Sequence, residues 1–397
     1  MQQLPSSAMH ARHAPAFSTA LFPQLITAIL LLLVPACETA PDSNPAWTLD
    51  GVPLIEAQVP PDRWAELRAN RWSDERVPVA LYIDGARFRG TLEAQGAGSR
   101  YHARWSFKLT MDGDDTLFGF HEMNLSAQIY DPSHLRSTLA TEAFAALGFP
   151  VFAHRHIFLR VNGTNLGLYL LVERVNEAFF HRRGLPVHEL ISCGFGARFG
   201  YGEGNHLEKY FEKKIPKSGN LNSFGEFLHA LDTAEPDRFA EQLGTYLDID
   251  NYLRYHALAS ILNHVDGFAN NIYFYRPTAS SPYQIIPWDF DKLLFPHHDV
   301  GLVGDNEIIE KLLRSDSCVA AYKHAVRQAI SGPLDPASIF PRLEAQAARI
   351  ADAHALDPWL GGAGIDLAVE SHLLQSHLTR RLDFFRDHIE SLTTSRP

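Results

Sequence analysis

Apolar and polar positions divide the chain into two regimes. From Pro53 to Glu173 they alternate in short runs broken by turn residues, which predicts mainly strands. Val79 to Gly90 alternates on either side of Asp84-Gly85, a dipeptide suited to a tight hairpin. Ser106 to Met111 and His156 to Val161 predict further strands, and Asn162-Gly163 turns the chain into Leu166 to Glu173 as a second hairpin. Between them, Pro132 to Leu147 has helical spacing, with Ser133 placed to cap it and Gly148-Phe149-Pro150 to stop it.

After Asn205 the spacing changes to three and four. Ser223 to Leu231, Pro236 to Leu247, Asp250 to Leu262, Asp305 to Arg314, Val319 to Ile330, Pro336 to Leu356 and Ile365 to Leu392 predict helices. The Gly-rich, aromatic stretch Ile191 to Gly204 predicts a long loop, and its glycines do not match a dinucleotide fingerprint. The expected fold class is α+β, with a β-rich first half and a mainly helical second half.

Composition narrows the function. The 397 residues, 46% hydrophobic, suffice for a large core. A formal net charge of −11, with no basic run, argues against a nucleic-acid partner. Leu25 to Val34 is an apolar stretch short for a membrane span, and it leads into Pro35-Ala36-Cys37. This predicts a signal peptide over 1–37 ending in a lipobox-like cysteine, a tether over 38–46 and a folded domain over 47–397. The expected location is outside the cytoplasm, with membrane attachment through a lipid on Cys37. Cys193 and Cys318 then remain, as a disulfide or as two buried thiols.

The chemistry concentrates between Ile261 and Asp291. His264-Val265-Asp266, followed five positions after the Asp by Asn271, has the spacing of the protein-kinase catalytic loop. Phosphoryl transfer needs a carboxylate to orient and deprotonate the acceptor hydroxyl, and an amide oxygen that holds Mg²⁺ without adding charge. A predicted hairpin returns the chain to Asp289-Phe290-Asp291, where a kinase places Asp-Phe-Gly. Asp289 is a candidate metal ligand and Asp291 a second one, or an acid at the mouth of the site.

Arg89-Gly90, Gly98-Ser99-Arg100, Leu117 to Gly119, Asp131 to Arg136, Val161 to Gly163, Gly167 to Glu173 and Pro287 to Asp291 occur in that order. Together they resemble the signatures of the spore coat protein H (CotH) kinase family, over about Val79 to Phe295. The resemblance implies an atypical protein-kinase-like two-lobed fold, with an N-lobe over about 47–190 and a C-lobe over about 205–397. It also implies transfer of the ATP γ-phosphate to protein Ser/Thr hydroxyls with Mg²⁺ or Mn²⁺. The family's catalytic Asp falls on Asp266, its metal Asp on Asp289 and its Asn on Asn271, although the His usual just before that Asn is Asn270 here. Where the family often has a Lys after its Gly-x-Ser-Arg, this chain offers Arg104, with Lys108 further along the strand. Arg100, Arg104, Lys108 and the pair Lys213-Lys214 are therefore the candidate phosphate contacts, and Glu173 would pair with such a cation or close the end of its strand. A silent binding module on the same scaffold, and a phosphotransferase acting on small molecules or glycans, are the alternatives. No Gly-x-Ser-x-Gly elbow points to a hydrolase.

Overall fold

The structure is a computed structural model, and it describes residues 51–96, 98–200, 207–235, 238–295 and 299–394. The leader, Cys37 and the tether lie outside the described residues, as do His297 and His298.

Seven strands close a barrel: β1 (Leu54–Gln58), β2 (Arg76–Ile83), β3 (Ala86–Gln95), β4 (Ser106–Met111), β5 (Glu122–Ser126), β6 (His154–Val161) and β7 (Thr164–Glu173). Both predicted hairpin turns are present. Asp84 and Gly85 take φ 49° and 79°, and Asn162 and Gly163 take 49° and 77°, the left-handed region that those residue types tolerate. The order β1-β2-β3-β4-β5-β7-β6 is closed by a parallel pairing in which Leu54 lies opposite Phe158. Alternate side chains such as Leu81, Phe107, Leu109 and Leu171 fill the interior as one hydrophobic cluster.

Strand β7 is buried on both faces. Tyr169 and Leu171 point into the barrel, whereas Leu168, Leu170 and Val172 join a second, larger cluster. The chain forms short helices α1 (Pro61–Ala69), α3 (Glu177–Arg182), α4 (Leu207–Tyr210), α6 (Phe239–Leu243) and α8 (Glu307–Leu312), and that cluster is built on α2 (Arg136–Ala146), α5 (Asn222–Thr233), α7 (Ile249–Ile261), α9 (Asp316–Ser331), α10 (Pro336–Leu356) and α11 (Leu367–His388). It also covers an antiparallel sheet of β8 (Glu189–Cys193), β9 (Phe211–Ile215), β10 (Ile272–Arg276) and β11 (Gln284–Pro287), in the order β11-β10-β8-β9. The chain is thus mixed α/β in both halves.

Several expectations are corrected. Ile191 to Cys193 is the end of β8 rather than loop, because Ile191 pairs with both Phe274 and Lys213. Lys213 itself stands on β9, which its charged neighbours had hidden. Ser133 does not cap α2. Its hydroxyl donates to Asp131 at 2.5 Å, and Asp131 Oδ2 takes the first helical amide, from Arg136, at 2.9 Å. Both Cys193 and Cys318 are free, buried thiols.

Candidate active site

Helix α7 ends at Ile261, and Asn263 enters the left-handed region at φ 50°, turning the chain sharply into Val265–Phe268, a single 3₁₀ turn. His264 is fully buried, its ring 5.5 Å from that of Phe290 and its Nε2 3.3 Å from the Trp288 carbonyl. Burial holds its pKa down at about 4, so it is a neutral packing group at physiological pH. Gly267 is required next to it: a Cβ there would overlap the His264 ring. The Asp266 carbonyl then accepts the amides of Asn270 and Asn271, each at 2.9 Å, which fixes the loop just before β10 begins.

The hairpin β10–β11 returns the chain to this loop. Phe290 anchors the return, stacked on Phe144 and Phe152 with centroids 5.5 and 5.4 Å away. Asp289, between Trp288 and this anchor, adopts φ 58° and is open to solvent, while Phe290 points inward. Asn271 Nδ2 donates to the Asp289 carbonyl at 3.4 Å, which leaves the amide oxygen as the group able to ligate a cation. The loop and the return are tied again by Lys292, whose ammonium donates to Asp266 Oδ2 at 2.8 Å. Asp266, Asn271 and Asp289 therefore form one constellation.

Its electrostatics are those of acids crowded together. Although Asp289 is exposed on one side, crowding of its carboxyl by surrounding protein, then the charge of Asp266, raises it to about 6, with Lys292 pulling the other way. Asp291 is pushed well up by burial and by Asp289. Burial opposes the Lys292 charge, yet the bond to Asp266 and the nearby Tyr130 and Asp291 hold its pKa above the usual value. The Lys292 ammonium also lies over the Tyr130 ring, 4.7 Å from its centroid.

Lys292 is a residue the sequence reading missed, although it directly follows Asp-Phe-Asp. Arg136 is another: its Nη1 donates to the Asp291 carbonyl at 3.0 Å and to that of Tyr130. The Asp131-to-Arg136 motif thus braces the return from Asp289 to Lys292. Arg174 is a third. It donates to Asn124 Oδ1 at 2.8 Å on the outer face of the barrel and pairs with Glu122 at 3.5 Å.

The proposed phosphate contacts are dispersed. Lys108 occupies the outer face of β4 opposite Asn124, 4.0 Å from Glu122, and burial lowers its pKa. Arg100 donates to the Ala94 carbonyl at 2.7 Å and lies over Trp72. Arg104 makes its contacts with Asp357, the Leu168 carbonyl and the Tyr169 ring, away from the acids. Lys213 pairs with buried Glu189 at 2.6 Å, and Lys214 with Glu212. Glu173 pairs with Arg182 and Arg183 and accepts the Ala153 amide at 2.9 Å. Burial alone would raise its pKa, but those donors bring it below the ordinary carboxylate value.

The donor set of one amide oxygen and one or two carboxylates is of the kind that fits a hard divalent cation. Among the described residues no three His, Cys, Asp or Glu side chains converge as a ready-made metal site.

The family model described as CotH kinase protein matches residues 86–385. This chain belongs to the CotH kinase family. Within that family it is 23% identical over 356 residues to the inner spore coat protein H of Bacillus subtilis strain 168, covering 86% of this chain and 98% of the relative. It is 26% identical over 226 residues to invasin CotH2 of Rhizopus delemar, covering 52% of this chain but 37% of that longer protein. Among solved structures, a chain of the Shewanella oneidensis HipA–HipB–operator DNA complex superposes with TM-score 0.35 at 14% identity, over 86% of this CotH kinase chain and 74% of that one. The Helicobacter pylori proinflammatory kinase CtkA superposes with TM-score 0.34 at 10% identity, over 79% and 94%. Neither superposition is close enough to transfer a residue's role.

Proposed function

We propose that this CotH kinase-family chain transfers the γ-phosphate of ATP to Ser/Thr hydroxyls of a protein, using Asp266, Asn271 and Asp289 on an atypical kinase-like, two-lobed scaffold. The observation that carries the reading is the double tie between loop and return: Asn271 to the Asp289 carbonyl, and Lys292 to Asp266. It brings Asp289, on the return of the hairpin, beside the candidate base Asp266 and the Asn271 amide on the loop.

In this reading the Asp266 carboxylate orients the acceptor hydroxyl and accepts its proton as the oxygen attacks the γ-phosphorus. The bond from that phosphorus to the β–γ bridging oxygen breaks, and ADP leaves. Asn271 and Asp289, with Asp291 beside them, would hold Mg²⁺ or Mn²⁺. The cation, when bound, offsets phosphate charge during transfer. Lys292 offsets part of the acidic field around the base. Lys108, on the barrel's outer face, is the candidate phosphate contact kept in this reading.

We also place the protein outside the cytoplasm, anchored by a lipid on Cys37. Metabolic labelling with palmitate, present in the parent and lost in Cys37→Ala, tests that placement.

The activity test is label transfer from γ-labelled ATP by the chain from Ala46 onward, with Mg²⁺ or Mn²⁺. Incorporation by the parent and its loss in Asp266→Ala supports the kinase. No transfer, together with no nucleotide-induced rise in melting temperature, favours a silent binding module.

A further inference from the structure

The open end of the barrel holds a cavity of about 480 Å³. It is distinct from the acidic cluster, and none of its lining residues is Asp266, Asn271, Asp289 or Lys292. Its size falls within the range of small-ligand sites, and barrel mouths are a favoured place for them.

Four separate stretches supply its walls, one of them the β6–β7 hairpin with Thr164, Asn165 and Tyr169. Helix α1 (Pro61–Ala69) contributes Trp64 and Arg68. The segment before β4 contributes Arg104 and Trp105, and the turn after α10 contributes Trp359. That last turn is built for the purpose: Asp357 Oδ1 accepts the amides of Trp359 at 2.7 Å and Leu360 at 3.1 Å, holding an indole that remains 44% exposed.

Charge selects the occupant. The whole chain has a formal charge of −11, yet no Asp or Glu lines this cavity. Arg104 is answered by Asp357 at 3.0 Å, although its buried Nε has no partner. Among the described residues no carboxylate pairs with Arg68 or with Arg71, which also lines the cavity and stacks its guanidinium over Trp105 at 5.2 Å. One guanidinium, that of Arg71, thus faces an indole while its Nη1 donates to the Arg100 carbonyl at 2.9 Å; Arg68 lines the same cavity, and Thr164 and Asn165 add neutral polar groups. No lysine, Gly-rich turn or helix N-terminus is present to cradle a chain of phosphates.

We propose that this cavity is a second binding site, which takes a carboxylate-bearing sugar of an acidic glycan. The carbohydrate ring faces would lie on Trp64 and Trp359. The carboxylate would sit between Arg68 and Arg71, whose forks match it in two-point geometry.

The test is a tryptophan-fluorescence titration of the chain from Ala46 onward with digalacturonate, using its dimethyl ester as the neutral counterpart. Saturable binding is expected, weakened at least tenfold by esterification, by Arg68→Ala and by Trp359→Ala. Both variants should melt like the parent, since both side chains are at the surface. Equal binding of acid and ester, no change in either variant, or no saturation by the acid overturns the proposal. So does tighter binding of AMP or benzoate than of the uronate, which would assign the cavity to another ligand class. Asp266→Ala should bind digalacturonate as the parent does, so failure of the kinase reading and failure of this one are separable.

Discussion

Replacing Asp357 with alanine tests how the C-terminal helices hold the barrel. Asp357 is fully buried and answers Arg104, which is 7% exposed, at 3.0 Å. Its Oδ2 also accepts the Leu168 amide at 2.6 Å, and its Oδ1 accepts those of Trp359 and Leu360. Breaking a buried pair by removing one partner costs about 3–5 kcal/mol, because the remaining charge is left uncompensated. Each amide left unsatisfied adds about 1–3 kcal/mol where water cannot reach it. Relaxation and partial hydration will absorb some of this, so a loss of at least about 4 kcal/mol is expected, against a typical total of about 5–15 kcal/mol. Urea unfolding followed by tryptophan emission measures it, with an unchanged m-value confirming that the same transition is observed. Arg104→Met added to Asp357→Ala should recover about 2 kcal/mol by removing the stranded charge. A loss under about 1 kcal/mol for Asp357→Ala, or no recovery in the double variant, would refute the reasoning. Glu241→Ala, which removes an exposed partner of Arg238, is the control and should leave the midpoint where it was.

Other expectations follow from the site and the core. Lys292→Met should lower kcat by about 10- to 100-fold with a small change in KM, as loss of one electrostatic contact near the transferring group does; steady-state phosphorylation kinetics check it, and an unchanged kcat would remove Lys292 from the site. Burial holds His154, His156 and His256 at about 4, 3 and 3. The unfolded chain therefore binds their protons first, so stability should fall as pH drops from about 6.5 toward 4, by about 1.4 kcal/mol per histidine per pH unit; urea midpoints across that range check the sign. Because the Asp289 carboxyl is raised to about 6, thermal stabilisation by Mg²⁺-ATP should weaken below that pH; Asp289→Asn should remove the stabilisation at pH 7, and its persistence would count against the metal assignment. Gly167→Ala should lower the melting temperature, because its Cβ would overlap the Asp357 carboxylate and φ is 106° there; a melting temperature equal to the parent's contradicts that account.

Much of this was legible in the sequence where local patterns decide the outcome. The Asp84-Gly85 and Asn162-Gly163 hairpins and the helix Pro336–Leu356 follow from turn chemistry and periodicity alone. The hairpin that returns to Asp289 was legible too, from two apolar runs separated by a turn. Strands β8 and β9 were not. Their short, charged or Gly-flanked segments become strands only because β8 pairs with β10 and β9 with β8, long-range pairings with no local signature. The cations were hardest. Arg104, Lys213 and Glu173 each look available in sequence, but their partners Asp357, Glu189 and Arg182 with Arg183 depend on tertiary proximity. Lys292 could have been found from its position directly after Asp291.

The parallel pairing of Leu54 with Phe158 also sets an order of assembly. A growing chain released only as far as Leu147 carries β1 to β5 as an open ribbon with two bare edges, each a template for pairing with another copy. The ring cannot shut until β6 and β7 have followed, so early contacts must wait for a distant partner and closure will be slow relative to the hairpins. Any delivery that presents the chain first end foremost leaves that ribbon unguarded for the interval, which makes a holding chaperone more valuable to this half of the protein than to the helices behind it.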